Sequence, residues 1–293
     1  MPRNAQEIIE IYEEATRANY DDAWRRGAVI ELPATGDLIY SADLHGNRTN
    51  FDKLMRIANL RKKPRRHIIF QEVIHGGPKS ISGACLSFQL LEVLANMKCQ
   101  YPQQVNIILG KHELSEYLGT PIMKGTDMES LNDNFDQGLA ETYGVDKGIV
   151  VEAIHRFIES IPIAVRTAKG ILMCHSVPPA EVADWAVPIL SKSNIAFELV
   201  KDSFIYKLVW GRAFDIENVE ALLGELDCKL MLVGHTSCPE GYRKVNEKLL
   251  IVDSQHEKGR YVYIDLTREP TMEYIEENIR TILSRDEVFS WDS

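Results

Sequence analysis

Residues 37–47 have the sequence DLIYSADLHGN, an apolar run that is followed at once by charged and small residues. The run is typical of a buried β-strand over 37–43, and it places Asp43 and His45 at the carboxyl end of that strand. Segment 49–60, TNFDKLMRIANL, has apolar residues at helical spacing. The sequence therefore predicts a strand, a polar turn and a helix, with two metal-binding side-chain types where the strand ends.

Short apolar runs alternate with helical segments on both sides of this unit. We predict strands at 28–33, 37–43, 66–72, 105–110, 229–235, 248–254 and 260–266, with a two-stranded hairpin in 163–176. We predict helices at 5–25, 49–60, 83–97, 128–142, 147–160, 215–226 and 271–284. The β-α-β-α-β order of the first half implies a mainly parallel sheet with helices on its faces, and the fold class is α/β.

The chain is predicted to form one domain with additions at both ends. Its 293 residues can bury a full core, and the sequence has no internal repeat, low-complexity tract or Gly/Ser linker. We place the domain at 28–268. An N-terminal helical extension, 1–27, precedes it, and a C-terminal helix within 269–293 packs on it.

The excess of acidic over basic residues indicates which classes of binding partner are unfavourable. With 33 basic and 43 acidic residues, the formal net charge is -10, which argues against a general nucleic-acid binder. It leaves phosphate chemistry open, because bound metal ions supply positive charge. The five cysteines are scattered and form no C-x-x-C pair, and no signal peptide or membrane-spanning run is evident. We therefore expect a cytoplasmic protein that does not bind membranes.

Polar side chains follow five of the predicted strands. These candidate ligands are Asp43 and His45, Glu72 and His75, His112 and Glu113, His175, and His235. In open α/β sheets, ligands bind beyond the carboxyl ends of the strands. Each residue taken alone is more often an ordinary polar group at a sheet edge, so the prediction depends on their joint occurrence. Oxygen and imidazole ligands together favour Mn, Fe or Zn over a mostly oxygen-bound ion such as Mg.

The same segments carry a family resemblance. In order, they are D-L-H-G (43–46), Q-E-V-I-H-G-G (71–77), G-K-H-E (110–113), C-H-S-V-P-P (174–179) and V-G-H-T (233–236). This series resembles the calcineurin-like metallophosphoesterases, and most closely the branch of the Ser/Thr phosphoprotein phosphatases and the bacterial diadenosine-tetraphosphatase-like enzymes. The resemblance covers about residues 36–265. It implies a β-sandwich of mixed, partly parallel sheets flanked by helices.

The resemblance also implies a metal centre with one or two divalent ions. Asp43 and His45 would hold the first ion, and Glu72 would stand where the family has a bridging aspartate. His175 and His235 would be imidazole ligands of the second ion. In the family, two such ions activate a water molecule that attacks phosphorus in line, so no nucleophilic Ser or Cys is required.

Catalytic and substrate-binding roles are implied for a second group of residues. His112 would be the general acid that protonates the leaving oxygen, and Glu113 would orient its ring. Arg212 has the geometry to clamp a phosphate in bidentate fashion. The alternative for Arg212 is a surface arginine that follows a buried Trp210.

The second motif departs from the family pattern. Glu72 replaces the bridging Asp, which keeps a carboxylate one methylene longer. His75 and Gly76 replace an Asp-Arg pair that supports the catalytic histidine and contacts phosphate. His75 is therefore a candidate substrate-binding residue, extra ligand or acid. Arg212, Arg48 or Lys79 could take over the phosphate contact that the family's arginine makes.

Lys111 departs from the pattern of the third motif. The family has Asn here, and its carbonyl oxygen binds the second ion, whereas an ammonium group has no acceptor. A positive charge about 4 Å from a divalent ion repels it by several kcal/mol even at an effective dielectric near 20. We therefore hypothesise that the second site is weak or empty and that Lys111 lies near the substrate phosphate.

Two functions follow from these observations. The first is a metal-dependent hydrolase of phosphoesters, with activity reduced or metal-selective. The second is a non-catalytic relative that binds phosphorylated ligands or partners. The retained acidic residues and histidines favour the enzyme, whereas Lys111 and Gly76 favour the binding protein. A phosphorylated small molecule, a nucleotide and a phosphoprotein all stay open as the substrate.

Overall fold

The fold consists of two β-sheets and the helices that cover them. The structure is a computed structural model that describes residues 4–125 and 128–282. Its α-helices are Ala5–Tyr20 (α1), Arg48–Ala58 (α2), Phe88–Gln100 (α3), Lys111–Leu118 (α4), Leu131–Tyr143 (α5), Lys147–Ser160 (α6), Ala186–Leu190 (α7), Phe204–Trp210 (α8), Ile216–Glu225 (α9) and Met272–Glu277 (α10). Its strands are Arg25–Arg26 (β1), Val29–Leu32 (β2), Asp37–Asp43 (β3), Arg66–Gln71 (β4), Val105–Ile108 (β5), Met123–Lys124 (β6), Glu129–Ser130 (β7), Ala164–Thr167 (β8), Ile171–Cys174 (β9), Leu230–Val233 (β10), Tyr242–Asn246 (β11), Leu249–Val252 (β12), Arg260–Asp265 (β13) and Ile279–Thr281 (β14).

Both large sheets mix parallel and antiparallel pairs. One has the order β1-β2-β8-β9-β10-β12-β11, and the other has the order β14-β13-β3-β4-β5. Strands β3, β4 and β5 are parallel, as are β9, β10 and β12, whereas β8 and β9 form the predicted hairpin. A short β6–β7 ribbon stands apart. The predicted α/β class with mixed, partly parallel sheets is confirmed.

The two large sheets pack face to face. Tyr40 and Ile69 of one sheet and Met173 and Leu232 of the other belong to a single buried cluster. A second cluster lies between the outer faces of the sheets and the helices. There α1 packs mainly against α3 and α6. The arrangement is a β-sandwich flanked by helices, in which β3, β4, β9 and β10 are central strands.

The ends of the chain differ from the predicted helices. α10 ends at Glu277, and β14 pairs with β13, so the prediction of helix is wrong for residues 278–282. An edge strand offers unpaired backbone groups that a further strand satisfies, and periodicity does not report this tertiary effect. α1 ends at Tyr20 rather than near 25, because β1 pairs with β2.

Residues 283–293 of the predicted C-terminal segment lie outside the described residues, and the domain limits stay predictions. No helix in the described part of the chain combines the length and the apolarity needed to cross a membrane.

Candidate metal centre

The carboxyl ends of four central strands meet at one end of the sandwich. Asp43 ends β3 in one sheet, and it forms an isolated parallel bridge with Asp253, which follows β12 in the other sheet. The two sheets therefore come together at Asp43. Glu72 follows β4, and His175 and His235 follow β9 and β10.

Backbone conformation aims several of these side chains. His45, Glu72, His75 and His235 have φ angles of 43°, 44°, 60° and 63°, and they are four of the eight non-glycine residues with positive φ in the described ranges. This left-handed conformation costs about 1 kcal/mol or more per residue. Such strain concentrates at functional sites, where surrounding structure enforces it. Half of the strained positions coincide with candidate site residues, which supports a functional reason for the strain.

Glu72 lies at the middle of the site. Its Oε2 is 3.4 Å from His45 Nε2, and its Oε1 is 3.2 Å from His175 Nε2. The backbone N–H of His112 also donates to Oε1 at 3.0 Å. The two oxygens of the Glu72 carboxylate thus face two different imidazoles, those of His45 and His175.

Two groups of potential ligands share this carboxylate. His45, Glu72 and His112 form one group, and Glu72, His175 and His235 form the other. In each group the ligand atoms lie within 4.8 Å of one another. This geometry is compatible with two adjacent ion sites that share Glu72.

Asp43 lies beside the second group and is held by backbone. Its Oδ2 accepts from the backbone N–H of His235 at 2.8 Å, and its Oδ1 is 4.0 Å from His175 Nδ1. His175 Nε2 is also 3.0 Å from His235 Nδ1. Asp43, His45, Glu72, His175 and His235 are therefore brought together as predicted, although their roles as ligands stay predictions.

Unpaired acceptors indicate what the site is built to hold. Within residues 4–125 and 128–282, no hydrogen-bond partner reaches the buried Asp43 Oδ1 or His235 Nε2. Buried polar atoms without partners are rare in proteins because they cost about 1–3 kcal/mol each. A divalent cation would satisfy both the oxygen and the imidazole acceptors, so the residues fit a metal ion.

Burial and neighbouring charges shift the pKa values of the carboxyl and imidazole groups in the site. Burial and the nearby Glu72 carboxylate raise the pKa of Asp43 well above its usual range. Burial also acts to raise the pKa of Glu72, but the imidazoles of His112 and His175 outweigh it and hold that pKa well below its usual range. Burial and the neighbouring His175 lower the pKa of His235 to about 2. A neutral imidazole is the form that binds metals.

Two glycines allow the carboxylates to approach the backbone. A Cβ on Gly110 would lie 2.4 Å from Glu72 Cγ, and a Cβ on Gly234 would lie 2.2 Å from Asp43 Oδ1. Neither glycine has a positive φ, so close contact rather than conformational freedom requires glycine here.

Helix α4 positions the third motif. Glu113 Oε1 accepts from the backbone N–H groups of Val73 and Ile74 at 2.8 and 3.3 Å, which fixes α4 to the loop after β4. Burial and the nearby Glu72 raise the pKa of Glu113 to about 8. Nδ1 of His112 lies 3.2 Å from His75 Nδ1, whereas Glu113 Oε1 accepts from backbone N–H groups of the loop after β4. The role of Glu113 in orienting the His112 ring stays a prediction.

The partners of His75 and His175 were missed in the sequence. Glu116 contacts His75 Nε2 at 2.6 Å, and Gln71 Oε1 contacts His175 Nδ1 at 3.2 Å. Glu116 lies four residues after His112, on the same face of α4. A prediction of α4 as a helix would have revealed this spacing.

Two cations flank the second group of ligands. Lys111 Nζ lies 4.9 Å from the centre of the Trp210 ring, a cation–π distance, and Trp210 stacks on Tyr206. Burial lowers the pKa of Lys111. Arg212 is exposed, and its Nη2 donates to the carbonyl of His235 at 3.5 Å. The charges of both residues act on His235 of the second group.

Arg48 and Lys79, the other candidate cations, make different contacts. Arg48 forms an exposed ion pair with Asp52 at 2.8 Å on α2. Lys79 and Lys124 line a cleft of about 380 Å³ whose wall includes His75.

The whole chain was compared with proteins of known family and known structure. No family model matches the chain, and no curated protein matches it. A protein serine/threonine phosphatase from Saccharomyces cerevisiae, described as similar to human phosphatase PP5, superimposes with a TM-score of 0.68 over 89% of this chain and 83% of that chain, at 15% identity.

The chain has a phosphatase-like fold.

A second phosphatase supports the same conclusion. The cold-active protein-tyrosine phosphatase of a psychrophilic Shewanella species matches 81% of this chain and 78% of its own, with a TM-score of 0.53 and 14% identity. At these identities the likeness concerns the phosphatase-like fold alone.

Proposed function

We propose that this chain is a metal-dependent phosphoester hydrolase of the calcineurin-like metallophosphoesterase type. The observation that carries the proposal is Glu72, whose two oxygens face the two ligand groups. A carboxylate shared by adjacent sites could hold two ions close enough together for two-ion hydrolysis. The phosphatase-like fold is consistent with it.

The residues that would hold the ions divide into two sets. The first ion would be held by His45 and Glu72, and the second by Glu72, His175 and His235. Asp43, which the resemblance assigns to the first ion, lies beside the second group and would complete that site instead. Mixed oxygen and nitrogen donors favour Mn, Fe or Zn. Divalent ions in such a site polarise phosphoryl oxygens and lower the pKa of water, which supplies the attacking nucleophile.

The chain's own residues would bind the substrate and deliver a proton. The positive charges of Lys111 and Arg212 act on His235 of the second ligand group, and both would attract a phosphate to it. The ammonium group of Lys111 packs on Trp210, and its charge acts on His235. We retain the hypothesis that Lys111 weakens the second ion site and contacts substrate phosphate instead. His112 would protonate the leaving oxygen.

Turnover assays test this proposal. p-Nitrophenyl phosphate and bis(p-nitrophenyl) phosphate should be hydrolysed with Mn, Ni, Zn or Mg, and His112→Ala should lower kcat by about 100-fold or more. The matched control is His67→Ala, because His67 lies near the start of β4, at the other end of the strand from Glu72, and contacts the Gln103 carbonyl. It should leave kcat unchanged.

Metal titration by calorimetry separates binding from catalysis. Glu72→Ala should weaken both ion sites, because each group of ligands contains Glu72. If the wild-type protein binds metal but turns over neither ester with any ion, the chain is instead a non-catalytic protein that binds phosphorylated ligands or partners. The proposed substrate class comprises phosphorylated small molecules, nucleotides and phosphoproteins.

A further inference from the structure

The cleft of about 380 Å³ that Lys79 and Lys124 line is large enough to hold a ligand. Its wall is formed by the loop after β4, by segment 79–85, by the β6–β7 ribbon and by the start of α5. The volume falls within the range of about 300–1,000 Å³ that is typical of small-molecule sites. The cleft is therefore a candidate for binding part of a substrate.

The cleft adjoins the first group of metal ligands. His75 forms part of its wall, and the His75 ring lies 5.0 Å from the ring of His112, which in turn lies 4.6 Å from the ring of His45. Burial lowers the pKa of His45, and the positive charge of Lys124 acts in the same direction. Lys124 thus lines the cleft and is also within electrostatic reach of the metal centre. One molecule could occupy both places.

The two lysines of the cleft carry charges that no carboxylate of the described ranges neutralises. Within residues 4–125 and 128–282, neither Lys79 nor Lys124 forms an ion pair. Glu129 lies opposite Lys124 in the β6–β7 ribbon, but its Oε2 accepts from Asn134 Nδ2 at 3.5 Å. In a chain with a formal net charge of -10, these two unpaired cations make a local site that attracts an anion.

Both lysines project from segments whose backbones are fixed. Lys79 forms an isolated antiparallel bridge with Cys85, and a Cβ on Gly138 of α5 would lie 2.0 Å from the Cys85 carbonyl oxygen. Segment 79–85 therefore packs directly on α5. In the ribbon, the backbone N–H of Ile122 donates to Asn132 Oδ1 at 2.8 Å. Fixed supports reduce the entropy lost when a ligand binds.

We propose that this cleft binds a second phosphoryl group of the substrate, remote from the scissile ester, and that Lys79 and Lys124 are specificity-determining residues. The inference rests on the proposed function and narrows its substrate to a small organic molecule with two phosphate groups. A phosphate carries close to two negative charges and can satisfy both ammonium groups, whereas a carboxylate carries only one. Because the rings of His112 and His75 separate His45 from the cleft, the two phosphates must be several bonds apart.

Turnover of alkanediol bisphosphates tests this proposal. Phosphate release from 1,4-butanediol bisphosphate and from 1,6-hexanediol bisphosphate is compared with release from butyl phosphate, in each case with Mn. At least one bisphosphate should have a kcat/KM that is about tenfold or more above that of butyl phosphate. The gain should come from KM, because the cleft holds the second phosphate equally before and during the reaction. Two equivalent ester groups alone give a factor of about two, and a ratio no higher than this for both bisphosphates overturns the proposal.

Lysine variants test which residues give this preference. Lys79→Ala and Lys124→Ala should each lower the ratio of bisphosphate to butyl phosphate kcat/KM by about fivefold or more, as loss of a charged hydrogen bond does. Lys124→Arg should keep most of the ratio, because it keeps the charge. The control is Lys62→Ala, an exposed lysine in the turn after α2, which should leave the kcat/KM of every ester unchanged. A wild-type ratio in both alanine variants refutes the role of the lysines.

Binding of a diphosphonate separates this inference from the proposed function. Phosphonates have a P–C bond that is not hydrolysed, so calorimetry with 1,4-butanediphosphonate and butylphosphonate in the presence of Mn needs no turnover. The diphosphonate should bind about tenfold more tightly than butylphosphonate, and Lys79→Ala should reduce this difference. If that holds but no ester is hydrolysed, the proposed function fails and the cleft is still an anion site. If esters are hydrolysed and the two phosphonates bind equally, only the cleft proposal fails.

A phosphopeptide distinguishes the remaining kind of substrate. The probe is a phosphoserine peptide with aspartates on both sides of the phosphoserine. If the lysine variants slow its hydrolysis but bind 1,4-butanediphosphonate as the wild-type protein does, the cleft recognises acidic side chains of a phosphoprotein. That result overturns the assignment of a small bisphosphate. Unchanged hydrolysis of the peptide, together with weaker diphosphonate binding, supports it.

Discussion

Gly234→Ala should impair metal binding by moving Asp43. The new Cβ would lie 2.2 Å from Asp43 Oδ1 and 2.6 Å from Gln71 Nε2. Cβ atoms essentially never come within 3.0 Å of another heavy atom, so the carboxylate must shift by at least about 0.8 Å. Functional groups have to be held within about 0.5 Å of their working positions, and a larger shift disrupts the site.

The expected magnitudes follow from this displacement. We expect metal affinity to fall by about 10- to 100-fold, the range seen when groups that position a metal site are disturbed. The strained contact should also lower the free energy of unfolding by about 1–3 kcal/mol, as overpacking does. Because the φ of Gly234 is not positive, alanine adds no backbone strain, and the effect is steric.

Isothermal titration with Mn and urea unfolding measure the two effects. The matched control is Gly224→Ala on α9, where a Cβ would meet no atom within 4 Å. It should leave metal affinity unchanged and raise the free energy of unfolding by about 0.5–1 kcal/mol, because alanine favours helix. If Gly234→Ala binds Mn as tightly as the wild-type protein, the assignment of Asp43 to the metal centre is refuted.

Two further substitutions test charges in and outside the site. Lys111→Asn removes a cation and supplies a carbonyl oxygen as a ligand. The affinity of the variant for the second ion, measured by calorimetry, should therefore rise at least about tenfold. An unchanged affinity contradicts the inference that Lys111 weakens this site. Lys98 is 1% exposed and pairs with Asp22 at 2.7 Å, so Lys98→Met should lower the free energy of unfolding in urea by about 3–5 kcal/mol. Adding Asp22→Asn should restore much of that loss, and a loss that persists in the double variant argues against an unpaired charge as its cause.

Some elements were predictable because their sequence pattern is local. β3 spans Asp37–Asp43 and α6 spans Lys147–Ser160, both as predicted from apolar periodicity. α4 was missed, because it has only eight residues between Gly110 and Gly119 and offers too few turns for a periodic pattern. β14 was missed, because its pairing with β13 is a tertiary contact.

The subcellular location and the broad substrate class are predictions from the sequence alone. All five cysteines lie within the described residues and are free there. A cytoplasmic location stays a prediction. So does the substrate class.

The sequence alone determined which chemical groups are present and that each follows a strand. Asp43, Glu72, His175 and His235 could be named because apolar runs end at or just before them. Only the tertiary structure decided which atoms meet, since the backbone of His235 donates to Asp43 across 192 residues of chain. It also gave His112 a partner in His75 and placed Lys111 on Trp210. Those contacts depend on the packing of two sheets and on helix α4, whose relative positions are set by the buried core and leave no local trace in the sequence.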